Sequence, residues 1–112
     1  MKLRPIFAAL VVILATGCAK TQVALENATT GNLLIDIKPN SDAAGTRKID
    51  FGTVAASTKS PYKEVDWTDS ELATTKVSTH GGSGKEGVVT LRSGKKSLIR
   101  ITTSADPSVT EE

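Results

Sequence analysis

Residues 33–42 read LLIDIKPNSD, and this stretch decides the fold. Leu33, Ile35 and Ile37 alternate with Leu34, Asp36 and Lys38, so the apolar period is two rather than 3.6. That is the pattern of a strand with one buried face. Pro39-Asn40-Ser41-Asp42 then closes it with turn residues. Working outward, the same period recurs on both sides. Val23 and Leu25 alternate with Gln22, Ala24 and Glu26, and Ile49 and Phe51 flank Asp50. Val77 lies among threonines, Val89 and Leu91 alternate with Val88 and Thr90, and Ile99 and Ile101 alternate with Leu98, Arg100 and Thr102.

The separators carry turn chemistry: Thr29-Thr30-Gly31-Asn32, Gly81-Gly82-Ser83-Gly84 and the tight Ser93-Gly94-Lys95. About seven short strands at this spacing predict a single all-β domain over residues 22–103, a sandwich or a barrel. One exception is Thr68-Asp69-Ser70-Glu71, whose S/T-x-x-E spacing predicts a helical turn before Leu72. Residues 104–112 contain Pro107 and two terminal glutamates without periodicity, and read as a disordered tail.

The N-terminus reads differently. Lys2 and Arg4 precede an apolar run from Ile6 to Ala15, which fits the core of a signal peptide and falls short of the ~20 residues a membrane span needs. Ala15-Thr16-Gly17-Cys18 resembles the lipobox of bacterial lipoproteins, with alanine at a position where leucine is usual. The resemblance implies a cleaved signal at residues 1–17, acyl chains including palmitate on Cys18, and a lipidated tether at 18–21. Cys18 is the only cysteine, so no internal disulfide partner competes for its thiol. The expected location is the cell envelope. Ala19 rather than aspartate after the cysteine points to the outer membrane over the inner where the host has one.

Charge must be counted after cleavage. The whole chain has 14 Lys and Arg against 12 Asp and Glu, and loss of Lys2 and Arg4 leaves 12 against 12. A formally neutral domain lacks the basic face that nucleic-acid binding requires, so nucleic acid is not an expected partner.

The order of segments ALENATTG, LLIDIKPNSD, IDFGTVAASTKSPYKEV and VVTLRSGKKSLIRIT resembles the domain of unknown function 4397 family. Phe51-Gly52 with Val54, Tyr62 in SPYKEV and the Gly94-Lys95 hairpin match that layout best. DWTDSEL replaces a usual proline-glycine turn, and Leu98 falls near a site where an aromatic is common. The resemblance implies an immunoglobulin-like or transthyretin-like β-sandwich displayed on the envelope; no enzymatic activity is established for that family, so it bears on the fold more than on function.

Four residues stand out as partner contacts. Trp67 lies in the polar run Asp66 to Glu71, where an indole is either a cap over the end of the sandwich or an exposed recognition residue. Tyr62, beside Pro61, is either a corner residue with its ring on the core or a ligand platform. Lys95 and Lys96, with Arg92 and Arg100, form a basic hairpin that suits an acidic partner or lipid phosphates, or else guards a strand edge.

Catalytic patterns are missing. His80 is the only histidine, and neither Ser57 nor Ser60 sits in a G-x-S-x-G elbow. Gly84-Lys85 fails as a phosphate loop because Thr79 and Glu86 occupy its required glycine and hydroxyl positions. Asp66, Asp69 and Glu71 lack EF-hand spacing, and no metal or other cofactor is expected. The sequence therefore predicts a non-enzymatic, lipid-anchored envelope module that binds another envelope protein or surface component. The alternative is a lipoprotein that binds a soluble ligand or inhibits a hydrolase.

Overall fold

A computed structural model describes residues 20–112; the expected signal at 1–17 and the expected lipidation site Cys18 lie outside the described residues. Two sheets pack face to face. The first contains β1 (Gln22–Asn27), β4 (Thr58–Lys59), β5 (Lys63–Glu64), β8 (Lys96–Ile101) and β9 (Ser108–Glu111). Its order is β4-β1-β8-β9, with β5 also on β1. The second contains β2 (Leu33–Pro39), β3 (Ile49–Val54), β6 (Thr75–His80) and β7 (Gly87–Val89), in the order β3-β2-β6-β7. The chain is an all-β sandwich.

Alternation places the core as the sequence predicts. Val23, Leu25, Ile99 and Ile101 of the first sheet meet Leu33, Ile35, Ile37, Phe51, Val54, Val77 and Val89 of the second, all buried in one cluster. Leu34, on the opposite face of β2, stays exposed. Asp36 does not: His80 on the neighbouring strand covers it, with Nε2 to Oδ2 at 3.0 Å.

Nine strands form among the described residues rather than about seven. The two-residue β4 and β5 are too short to show a period, and Ser60-Pro61-Tyr62 separates them. The expected disordered tail is a correction: Ser108–Glu111 pairs antiparallel with β8, setting Val109 beside Ile99, and Pro107 is buried ahead of it. A single inward valine suffices there because the backbone ladder supplies the rest. The expected tether also shortens. Thr21 is buried and belongs to the domain, its carbonyl accepting the Val65 amide and its Oγ1 accepting the Gly94 amide.

The helical turn forms as predicted, α1 (Asp69–Ala73). Thr68 Oγ1 accepts the Glu71 amide and Glu71 Oε1 accepts the Thr68 amide, a reciprocal cap. It buries Leu72, whose carbonyl accepts the Leu91 amide and so ties the helix to the segment after β7.

The turn at the glycine run 81–84 is closely packed at Gly82 and Gly84. A Cβ on Gly82 would stand 2.5 Å from Leu33 Cδ2, and one on Gly84 would stand 2.6 Å from Leu33 Cδ1 and 3.0 Å from Ile101 Cγ2. Leu33 and Ile101 are both buried, so neither can swing aside freely.

Asn27, fully buried at the end of β1, makes the junction between the sheets. Its Nδ2 donates to the Val54 and Gly31 carbonyls, each at 2.8 Å, and its Oδ1 accepts from the Thr29 amide and hydroxyl at 3.0 and 2.6 Å. Asn27→Ala removes the partner of the buried Val54 carbonyl and of the buried Thr29 amide, and a buried unsatisfied group costs ~1–3 kcal/mol. We expect a loss of about 3 kcal/mol in urea unfolding of the chain from Ala19 onward. Thr30→Ala, in the same turn but exposed, should cost almost nothing in the same measurement.

Candidate functional site

β1 and β8 run parallel, from Gln22 beside Lys96 to Asn27 beside Ile101, and this gives the sandwich two distinct ends. Ala28 N–H to Ile101 O, Ser57 N–H to Asn27 O and Lys85 N–H to Thr102 O gather the loops of one end. Val65 N–H to Thr21 O, Gln22 N–H to Lys95 O and Glu112 N–H to Lys96 O gather the other. All four sequence-predicted contact residues, Tyr62, Trp67, Lys95 and Lys96, fall at this second end, where Thr21 enters the domain.

Tyr62 is half-buried on the first sheet. Its hydroxyl donates to Glu112, and Lys96 Nζ lies 4.4 Å from its ring centroid and 3.7 Å from Glu112 Oε1. The hydrogen bond to the Glu112 carboxylate raises the Tyr62 phenol above its ordinary range. Tyr62 thus latches Glu112, a side-chain carboxylate rather than the backbone partner of a core corner. Trp67 is half-buried against the core. Beside it Arg47 pairs with Glu71 and donates to the Asp66 carbonyl, which fastens the loop.

The basic hairpin is largely neutralised. Arg92 grips Glu111 with two bonds of 2.7 Å, Lys96 meets Glu112, and Arg100 stands 3.8 Å from Glu26. The Arg92 bond holds the Glu111 carboxyl below the usual carboxylate range and raises the guanidinium. Lys95 alone of that cluster has no ion pair among the described residues. It borders an open groove of about 410 Å³ lined by Asp69, Ala73, Thr90, Leu91, Arg92 and Ser93 as well. Neither Trp67 nor Tyr62 lines that groove.

The remaining candidates are spread apart. His80 bonds Asp36 on the second sheet, whereas Ser60 Oγ accepts the Leu25 amide at 2.9 Å on the first. Glu71 is committed to Arg47 and to the helix cap, and among the described residues no group of three His, Cys, Asp or Glu side chains is arranged to hold a metal ion. No described helix is long and apolar enough to cross a membrane. The clamp of β9 by Arg92 and Tyr62 was missed in the sequence, although four basic residues followed by two terminal glutamates offered the signal.

No protein-family model and no curated protein matches the chain, so the layout shared with the domain of unknown function 4397 family gains no support there. A solved structure does match. The NMR structure of a protein from Eubacterium rectale is 20% identical, covers 85% of this chain and 90% of its own, and superposes with a TM-score of 0.56. Similarity at that level is a similarity of fold.

Two predictions follow from this end of the molecule. Trp67→Ala should remove about 2 kcal/mol or more of stability through lost packing, read as a lower urea midpoint. The β9 clamp should depend on pH. Because the Glu111 carboxyl is depressed, its contribution is present above the ordinary carboxylate value and is lost as pH falls through the depressed one. Hydrogen exchange of the Thr110 amide, which faces Leu98 across the β8 ladder, should therefore be slower than in Glu111→Gln at neutral pH. The two should converge once the medium is acid enough to protonate Glu111.

Proposed function

We propose that this chain is a non-enzymatic, lipid-anchored protein of the bacterial cell envelope, of the outer membrane where there is one, working as a β-sandwich binding or structural module. The observation that carries the reading is the pairing of a signal-like run ending at Cys18 with a domain that begins at Thr21. The folded part starts three residues after the one thiol, as it would if that thiol were the anchor. Anchoring by several acyl chains is strong, since each buried methylene contributes ~0.8 kcal/mol.

The binding role draws on the end that holds Tyr62, Trp67, Lys95 and Lys96, with another envelope protein or surface component as its partner. The second reading, a ligand binder or an inhibitor of a hydrolase, draws on the open groove beside Lys95. It ranks behind the first because the two aromatic side chains of this end are committed to the core and to Glu112 rather than to the groove.

Metabolic labelling with palmitate tests the anchor. The wild-type chain should incorporate label and partition into detergent, and Cys18→Ser should do neither. Label persisting on Cys18→Ser would remove the lipoprotein reading.

A further inference from the structure

The anchor position and the polarity of β1 together orient the domain on its membrane. Thr21 is fixed on three sides: its carbonyl holds the Val65 amide at 2.9 Å, its Oγ1 holds the Gly94 amide at 2.8 Å, and the next amide, Gln22, donates to Lys95 O at 3.0 Å. Only Ala19 and Lys20 lie between this fixed point and Cys18. An extended chain spans at most ~3.6 Å per residue, so Thr21 stays within about 11 Å of the cysteine. β1 then carries the chain away over six residues, about 20 Å at ~3.3 Å each, before it reaches Asn27. The strand is longer than the slack that precedes it.

We infer that the end of the sandwich formed by Thr21, α1 and the Thr90–Lys95 segment faces the lipid headgroups. The opposite end, formed by the loops at 28–32, 55–57, 81–85 and 102–107, is held away from them. This rests on the lipid anchor at Cys18 proposed above. Among the described residues the near end carries unpaired charge of both signs, Asp66 and Asp69 as well as two lysines, and the lysines are the groups that lipid phosphates would meet. Lys20 and Lys95 are exposed and in no ion pair among the described residues, and cations at that level meet the phosphates of anionic lipids. The groove bordered by Asp69, Arg92 and Lys95 opens on the same end, so it faces a polar headgroup layer rather than bulk solvent. The packed glycine turn over Leu33, with the loops beside it, becomes the outward end, so a partner of the end that holds Tyr62, Trp67, Lys95 and Lys96 is met at the membrane surface.

The experiment uses the full chain, purified with its lipid and reconstituted into phosphatidylcholine vesicles containing a headgroup-nitroxide lipid. Acylation blocks the Cys18 thiol, so a single introduced cysteine accepts a fluorescent label selectively. Ser93→Cys reports the near end and Ser104→Cys the far end; both serines are exposed, so both variants should fold. Nitroxide quenching should be at least about threefold stronger at position 93 than at position 104. Equal quenching, or stronger quenching at 104, in protein that carries palmitate and stays on the vesicles would overturn the orientation while leaving the anchor in place. Protein that carries no palmitate and washes off the vesicles would remove the anchor and this orientation with it.

Discussion

The sandwich depends on one buried amide. Asn27 sits where the chain leaves the first sheet for the second, and it has no access to water. Its two donors and its acceptor oxygen are all used, by Val54 at the end of β3 and by the turn at Gly31 and Thr29. A buried polar group is tolerated only when it is satisfied, and a fully satisfied one admits few alternatives. The turn must close as it does, and β3 must end where it does. Ser57 N–H adds a bond to the Asn27 carbonyl, so the loop after β3 is drawn to the same point.

Electrostatics then organise the other end. β9 half-buries one valine, with Pro107 buried just ahead of it, and would be a weak edge strand by packing alone. Arg92 and Tyr62 hold the carboxylates of Glu111 and Glu112, and Lys96 lies between the ring and Glu112. These contacts are exposed and individually weak, but bidentate geometry and a shared carboxylate make a network of them. One consequence is functional. A hairpin that reads as a basic patch along the chain presents little uncompensated charge once β9 has paired with it, and Lys95 is what remains.

The two ends of the sandwich are therefore chemically unlike. The end at Thr21 is polar and latched, with its indole against the core and its phenol on a carboxylate. The other end is built from small residues, with glycines pressed against Leu33 and Ile101. Strand polarity makes this difference matter, because β1 leads directly away from Thr21, where the described chain enters the sandwich.

Much of the sandwich was legible in the sequence. The period of two over Leu33 to Ile37, Val23 to Leu25 and Ile99 to Ile101 dictated strands and their buried faces, because successive side chains on a strand point to opposite sides. The Thr68 and Glu71 spacing dictated the helical cap, which is a local interaction. Of the candidate site, the residues were legible but their roles were not. Whether Trp67 caps or protrudes, and whether Tyr62 meets the core or a carboxylate, depends on partners remote along the chain, 50 positions away in the case of Tyr62. The strand at Ser108–Glu111 carries too few apolar residues to announce itself; a ladder offered by β8 makes it a strand. Sequence by itself determined the local conformations, which rest on periodicity and near-neighbour hydrogen bonds. Only the tertiary structure decided which charges cancel and at which end Thr21 enters the sandwich, because the first follows from the antiparallel pairing of β8 with β9 and the second from the parallel pairing of β1 with β8, residues more than seventy positions apart.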